Sequence, residues 1–428
     1  MAKPWCKSGF FHVSAFNFDP DLLKGFELSR NRQVFVIDST LRKIQITPGT
    51  KPLSVKDKVE IVSKSDELGV SEIYAGNNVW MSNDAFDGCR EIVRQRFKLK
   101  TNVQIRLEAE LLGVADVNKA MVERWIDKSV ETEADMIELE SDVSDAFLQA
   151  EGVSRAKASK RLVQAMEYAK KIGANFAVGI VDPGRADWNY VIKTVNMSIE
   201  YGACRLVLYD SFGVISPDAW RHLVKKIRYA MTREVPLGLH THDTFGTATA
   251  SVISAVTAGA IYPDVALGTL ATEAGVSLAP LEATVVALEI LYGIKTGIRL
   301  NKISEYSKLI EEKTGIPVDP HRPIIGDQVW YYELESKVQW ALTRQGLPPA
   351  LAPETVGQRG RVVWGKNTLN GSALKAKLKK MGLNCSDKSV QKLASAIRKK
   401  LDQIPLYPVW LSESEVEDIA RKLTKSPV

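Results

Sequence analysis

The sequence has little of what most readily announces a function. Its four cysteines, Cys6, Cys89, Cys204 and Cys385, lie far apart, with no zinc or redox spacing between them. Inert thiols in a reducing compartment fit that pattern. Long hydrophobic runs are missing too: the most apolar stretch, Ala279–Leu291, is broken by Glu282 and Glu289, so no membrane partner is expected. The N-terminus, MAKPWCKSGFFHVSAF, has no continuous apolar core and no small-residue cleavage site, which points to the cytoplasm. Charge of one sign is not in excess. Fifty-seven Lys+Arg against 51 Asp+Glu leave +6 over 428 residues, too weak a bias for a nucleic-acid partner.

What is present is a recurring unit. From about residue 34 to 300 a short β-branched run, a polar turn and a longer stretch of helical spacing follow one another. The predicted strands are Val34–Asp38, Glu72–Gly76, Val103–Ala109, Met136–Glu140, Phe176–Asp182, Arg205–Asp210, Pro236–His242 and Asp264–Leu270. Alternating strands and helices imply a parallel sheet, because parallel neighbours need a crossover. Eight units over about 270 residues give the arithmetic of an α/β (β/α)8 TIM barrel. A doubly wound open sheet is the rival, but no glycine-rich phosphate loop follows the first strand. Between the strands, Lys56–Val70 and Arg155–Ala174 carry apolar stripes of core-packing type, and Gly173 suits a helix stop. The expected organisation is an N-terminal arm (1–30), a catalytic barrel (31–300) and an α-rich C-terminal appendage (301–428). The appendage opens with Pro317, Pro320 and Pro323 and carries a basic helical stretch, Ala373–Lys400.

In such a barrel the reactive groups sit at the carboxyl ends of the strands. Those ends collect ionisable and polar residues: Asp38, Arg42 and Lys43; Asn77; Arg106; Glu138; Asp182 and Arg185; Ser211; His240 and His242; Thr269. Buried charge is costly unless paired, so a concentration of it at one mouth points to chemistry. His240-Thr241-His242 is the most specific local signal. Two of only five histidines stand at i and i+2 of a strand, facing the same side, where they could bind a metal or move protons.

The segment Asp38-Ser-Thr-Leu-Arg-Lys-Ile-Gln-Ile-Thr-Pro-Gly49 resembles the first-strand signature of the DRE-TIM metallolyase superfamily. His240-Thr-His242-Asp243 is similar to its H-x-H-(N/D) motif, and Asp210-Ser-Phe-Gly to its D-T-V-G. Gly315–Asp327 and the later VGQRGRVVWGKNTLNGS resemble the post-barrel region of its alkylmalate synthase branch, which includes 2-isopropylmalate and homocitrate synthases. The resemblance covers most of residues 34–428. It implies a C–C bond enzyme of acyltransferase or lyase type that uses a divalent metal and an acyl-CoA. It also implies a homodimer whose C-terminal region covers the partner's barrel, with Trp330, Tyr331, Tyr332 and Trp340 as candidate contacts.

Three positions depart from that pattern. The family's acidic metal ligand after the Arg is Lys43 here, and an ammonium has no lone pair to give. Its strand-five glutamate is Val181. Its H-E-S-G-I-H is Tyr332-Glu333-Leu334-Glu335-Ser336-Lys337. The sequence therefore points to aldol- or Claisen-type enolate chemistry on a small 2-oxo acid or dicarboxylate, without the usual metal. Arg42 and Lys43 would hold the developing oxyanion, His240 or His242 would act as acid or base beside Asp38 and Asp182, and Arg106 and Arg185 would clamp a substrate carboxylate. Asn77, Glu138, Ser211 and Thr269 would line the substrate. Lys43 as a Schiff-base nucleophile is a variant of this scheme. Two alternatives stay open: a metal-dependent acyl-CoA condensing enzyme with ligands moved to Glu138, Asp210 or Asp243, and a non-catalytic metabolite-binding relative.

Overall fold

The computed structural model describes residues 4–28, 33–270, 276–344, 349–369 and 371–425. Eight parallel strands close on themselves: β1 (Ile37–Asp38), β2 (Glu72–Asn77), β3 (Lys100–Arg106), β4 (Met136–Asp142), β5 (Phe176–Val181), β6 (Leu206–Asp210), β7 (Leu237–Thr241) and β8 (Tyr262–Val265). Each pairs with the next in sequence, and β8 returns to β1 through Asp264↔Ile37 and Val265↔Asp38. The expected TIM barrel is the fold.

Local chemistry explains the outer helices. Val55–Leu68 begins with a capping box, in which Ser54 accepts from the Asp57 N–H and the Asp57 carboxylate accepts in return. It ends at Gly69, whose φ of 93° suits a residue without a Cβ. Ile61, Val62 and Leu68 turn to the core, each burial contributing roughly 1.5–3 kcal/mol. Arg155–Lys171 starts at the Ser154 cap and buries Leu162, Ala165, Met166 and Ala169; Gly173 just beyond it has a φ of 72°.

Strand limits differ from the sequence reading where apolar runs continue past the ladder. β8 was expected over Asp264–Leu270 but lies at Tyr262–Val265. After Val265 the chain turns to a new partner: the Ala266 N–H donates to Ala279 and the Ala266 carbonyl accepts from Leu281. Thr269 is thereby moved off the strand into a turn. β3 was expected over Val103–Ala109 and lies at Lys100–Arg106, which puts Arg106 at its carboxyl end. β1 keeps only Ile37 and Asp38, while Val34 and Phe35 bond to the Lys295 and Ile261 carbonyls.

The chain forms two compact units, Ser14–Val318 and Met1–Val13 together with Asp319–Val428. The expected boundaries at 30 and 300 both fall inside the barrel unit. The helix Ile303–Thr314 is part of that unit because the Tyr306 hydroxyl donates to Asp38 and meets Ser65. In the smaller unit the helices Ser372–Lys380, Asp387–Leu401 and Glu413–Lys425 pack around Val338, Trp364, Leu374, Leu393 and Ile397. Tyr332 and Trp340 meet edge to face in this core, and the Trp330 Nε1–H donates to the Ile324 carbonyl. These aromatics serve their own unit. The basic stretch Ala373–Lys400 divides between two of its helices, with Lys377 buried against Glu413 and Glu417. Among the described residues no helix is long and apolar enough to cross a membrane.

Candidate active site at the barrel mouth

TIM-barrel interiors are usually filled by branched apolar side chains. This one is polar. β3 and β4 place a polar residue at every second position, Asn102, Gln104, Arg106 and Glu138, Glu140, Asp142, all buried or nearly so. From the non-adjacent strands β2, β4 and β6, Tyr74, Glu138 and Tyr209 reach one another across the bore. The Tyr74 and Tyr209 hydroxyls are 2.8 Å apart and both donate toward the Glu138 carboxylate. Burial pushes Glu138 up to about 7, against the pull of Arg205. Below it, Arg205 closes on Glu72 with two hydrogen bonds of 2.7 and 2.6 Å. Glu138 was expected at the strand end to line the substrate. It lies instead two residues into a seven-residue strand, as part of the barrel filling.

Above this layer stand the groups of the first strand's helix, Thr40–Ile46. Lys43 is 1% exposed, and its Nζ lies 3.3 Å from His242 Nε2. His242 Nδ1 is 2.9 Å from the Val276 carbonyl, to which it must donate, so Nε2 carries a lone pair that accepts from Lys43. Burial, then the charge of Lys43, lowers His242 to about 2. His240 Nδ1 lies 2.6 Å from Asp264, which also accepts from Ser39 Oγ at 2.6 Å, and the ring lies 4.5 Å from that of Tyr209 at a tilt of 34°. Burial and the nearby Lys43 and Arg42 hold His240 well below its usual range, while burial lifts Asp264 to about 6. Both imidazoles are neutral near pH 7.

Arg42 is the most available donor. Its Nη2 lies 3.9 Å from Glu140 and its guanidinium sits over the Tyr74 ring, yet Nε and Nη1 are buried without a partner among the described residues. Burial opposes its charge, but Glu140 and neighbouring groups hold the pKa above its ordinary value. Buried cationic donors left unpaired cost free energy unless an anion completes them.

Other expected site residues are held by the protein itself. Asp38 accepts from Ser65 at 2.5 Å, Tyr306 at 2.7 Å and the Thr40 N–H at 2.8 Å; it ties the first strand to its neighbours rather than facing the mouth. Arg106 is divided between Asp142 at 2.8 Å and Glu151 at 2.9 Å, so its charge is met within the chain. Asp182, with φ 63°, accepts from Ser144 and is clasped by Arg185, which remains 39% exposed over Phe212. Asn77 ends β2 with its Oδ1 buried and unpartnered among the described residues, and Ser211 follows β6, half-buried. Val181 packs with Val207, Tyr209 and Phe147.

The divalent ion implied by the family pattern does not fit these residues. The lone pair of His242 Nε2 is taken by Lys43, and an ammonium beside a dication about 4 Å away is repelled by several kcal/mol at intermediate dielectric. The relocated ligands are not gathered either. Asp210 accepts from the Val214 and Ile215 N–H groups, Asp243 from Ala248, and Glu138 is deep in the bore. Among the described residues no three His, Cys, Asp or Glu come together to hold a metal.

A family model described as HMGL-like matches residues 33–310, which contain the entire barrel. The chain belongs to the HMGL-like family. Curated relatives include an (R)-citramalate synthase, CimA, of Methanocaldococcus jannaschii, 31% identical over 91% of this chain and 75% of that protein. A homocitrate synthase, AksA, of Methanopyrus kandleri is 30% identical over 94% of this chain and 95% of its own. Among solved structures, the HMG-CoA lyase of Bacillus subtilis superposes with a TM-score of 0.56 at 22% identity, covering 69% of this chain and 98% of that one. This HMGL-like chain shares that fold.

Sequence reasoning placed Glu140 with Glu138 at the end of the fourth strand but left Asp264, Tyr74, Gln104 and Tyr209 out of the site. For Gln104 the signal was available: polar residues alternating along β3 and β4 mark a polar inward face, by the same period of two that usually marks an apolar one.

Proposed function

We propose that this HMGL-like protein is a C–C bond-forming enzyme that condenses an acyl-CoA with a small 2-oxo acid, using Arg42 and Lys43 as the oxyanion holders. The α-carbon of the thioester loses a proton and bonds to the carbonyl carbon of the 2-oxo acid. That carbonyl oxygen gains a proton, and water hydrolyses the thioester to release CoA. The observation that carries the reading is the Lys43 ammonium 3.3 Å from His242, beside Arg42 with two unpartnered buried donors. Preorganised cationic donors aimed at a developing oxyanion each contribute about 3–4 kcal/mol. His240, held by Asp264, is neutral and poised to exchange a proton with the carbonyl oxygen. The names of the curated relatives, synthases of citramalate and homocitrate, support this reaction class. Arg185 is the candidate for a second substrate carboxylate, since it is partly exposed. A cytoplasmic homodimer belongs to the same proposal, checked by light scattering.

Free CoA released from acetyl-CoA with a panel of 2-oxo acids tests it, on enzyme stripped with chelator. Turnover should persist in the stripped enzyme, and Lys43→Met should lower kcat about 100- to 1,000-fold. Activity that vanishes on stripping and returns only with Mn, Mg or Zn would overturn the role given to Lys43. Borohydride trapping with a 2-oxo acid separates a Lys43 imine from a Lys43 ammonium.

A further inference from the structure

Enolate formation from a thioester needs a base, and most candidates at the mouth are already engaged. His242 has both ring nitrogens occupied, by Val276 and Lys43. Asp182 is clasped by Arg185 and Ser144, Asp38 takes three hydrogen bonds, and Asp142 gives Oδ2 to Arg106 while its Oδ1, unpartnered among the described residues, is fully buried. His240, tied to Asp264, is the group proposed for the carbonyl oxygen's proton.

Glu140 is different. It stands on β4, two residues closer to the mouth than Glu138, and only its Oε1 is used: it accepts from Gln104 Nε2 and lies 3.9 Å from Arg42 Nη2. Among the described residues Oε2 has no hydrogen-bond partner. The neighbouring strand makes room for it, since a Cβ built on Gly179 would lie 3.1 Å from Glu140 Cγ and 3.0 Å from Tyr209 Cε2. Gln104 Nε2 also donates to the Tyr209 hydroxyl at 3.0 Å, so this one nitrogen bridges Tyr209 and the carboxylate and sets the carboxylate's orientation. A carboxylate with one oxygen pinned and the other open, beside an arginine whose remaining donors are unpartnered, has the arrangement of a base next to an oxyanion site.

Building on the condensation reading above, we propose that Glu140 is the catalytic base that forms the enolate. The α C–H bond of the acyl thioester breaks and its proton goes to Glu140 Oε2. The bond's electron pair becomes the C=C π bond of the enolate, and the carbonyl π pair moves to the oxygen, which is held by Arg42. The enolate carbon then attacks the 2-oxo acid, and Glu140 returns its proton to water through the open oxygen.

The test compares wild type, Glu140→Gln and Glu140→Ala, using acetyl-CoA and its trideuterated form. In Glu140→Gln, kcat should fall about 100-fold or more with KM within about threefold, and the deuterium isotope effect on kcat should rise. Formate should restore part of the activity of Glu140→Ala. A role limited to propping Arg42 would raise KM, leave the isotope effect unchanged and give no rescue, and that result overturns the proposal. Wild type that turns over beside an equally active Glu140→Gln also overturns it while leaving the condensation reading intact. Wild type that releases no CoA with any 2-oxo acid removes both.

Discussion

Replacing Glu138 by glutamine should make the barrel more stable at alkaline pH and leave it unchanged in acid. The side chain is fully buried and is met by Tyr74, Tyr209, Asn102 and, at 3.7 Å, Arg205. Burial lifts its pKa in the folded protein from 4.5 to about 7. Below pH 4.5 both folded and unfolded chains carry the proton, so the group contributes no difference. Between 4.5 and 7 the folded chain keeps a proton that the unfolded chain releases, and stability falls as pH rises. Above 7 both are ionised and the native state bears the whole cost, about 3 kcal/mol at 1.36 kcal/mol per pH unit. Glutamine keeps the shape and the tyrosine contacts but has no charge to desolvate. The value of about 7 already includes the pull of Arg205, so the expected gain is about 3 kcal/mol at pH 8, or about 6 °C in melting temperature, and near zero at pH 4.5. Urea unfolding of wild type and Glu138→Gln at both pH values measures it. A difference of the same size at pH 4.5 and 8 would refute the reasoning, because only a titrating group gives a gain that switches on between them.

Three further substitutions probe the same framework. Arg205→Met should cost about 3–5 kcal/mol, because Glu72 is left buried and unpaired, and a urea midpoint within error of wild type would contradict the pairing. Asp38→Asn should cost about 1–3 kcal/mol by weakening three hydrogen bonds, with kcat per folded molecule unchanged; a hundredfold kcat loss at unchanged melting would mean that Asp38 reacts. Gly179→Ala should lower kcat about tenfold or more while destabilising by about 1–3 kcal/mol, since Tyr209 and Glu140 must both give way. An active and equally stable Gly179→Ala would show that neither side chain needs its present place.

The barrel was legible in the sequence because parallel strands and crossover helices leave a repeating signature that tolerates errors of a few residues at each limit. Eight strands were placed, and β8 and β3 were shifted because a continuing apolar run says nothing about where the ladder stops. The mouth was read less completely. Lys43, His240, His242 and Arg42 stand together as their motif spacing suggested. Whether a charged side chain is open to a ligand or already spoken for depends on partners distant in the chain. Asp38 is met by Tyr306, 268 residues away, and Arg106 by Glu151, 45 away. No local pattern reports those pairings. Tyr332–Lys337 was read as a lost catalytic motif; the structure gives it a positive role, with Glu335 accepting from Ser372 and Ala373 to cap a helix.

The packing of Val181 limits which side chains its position can accept. A glutamate there would enter the contact with Val207, Tyr209 and Phe147 and would meet the same dehydration that raises Glu138. A carboxylate at that position would therefore need a compensating change on the neighbouring strand that carries Val207 and Tyr209.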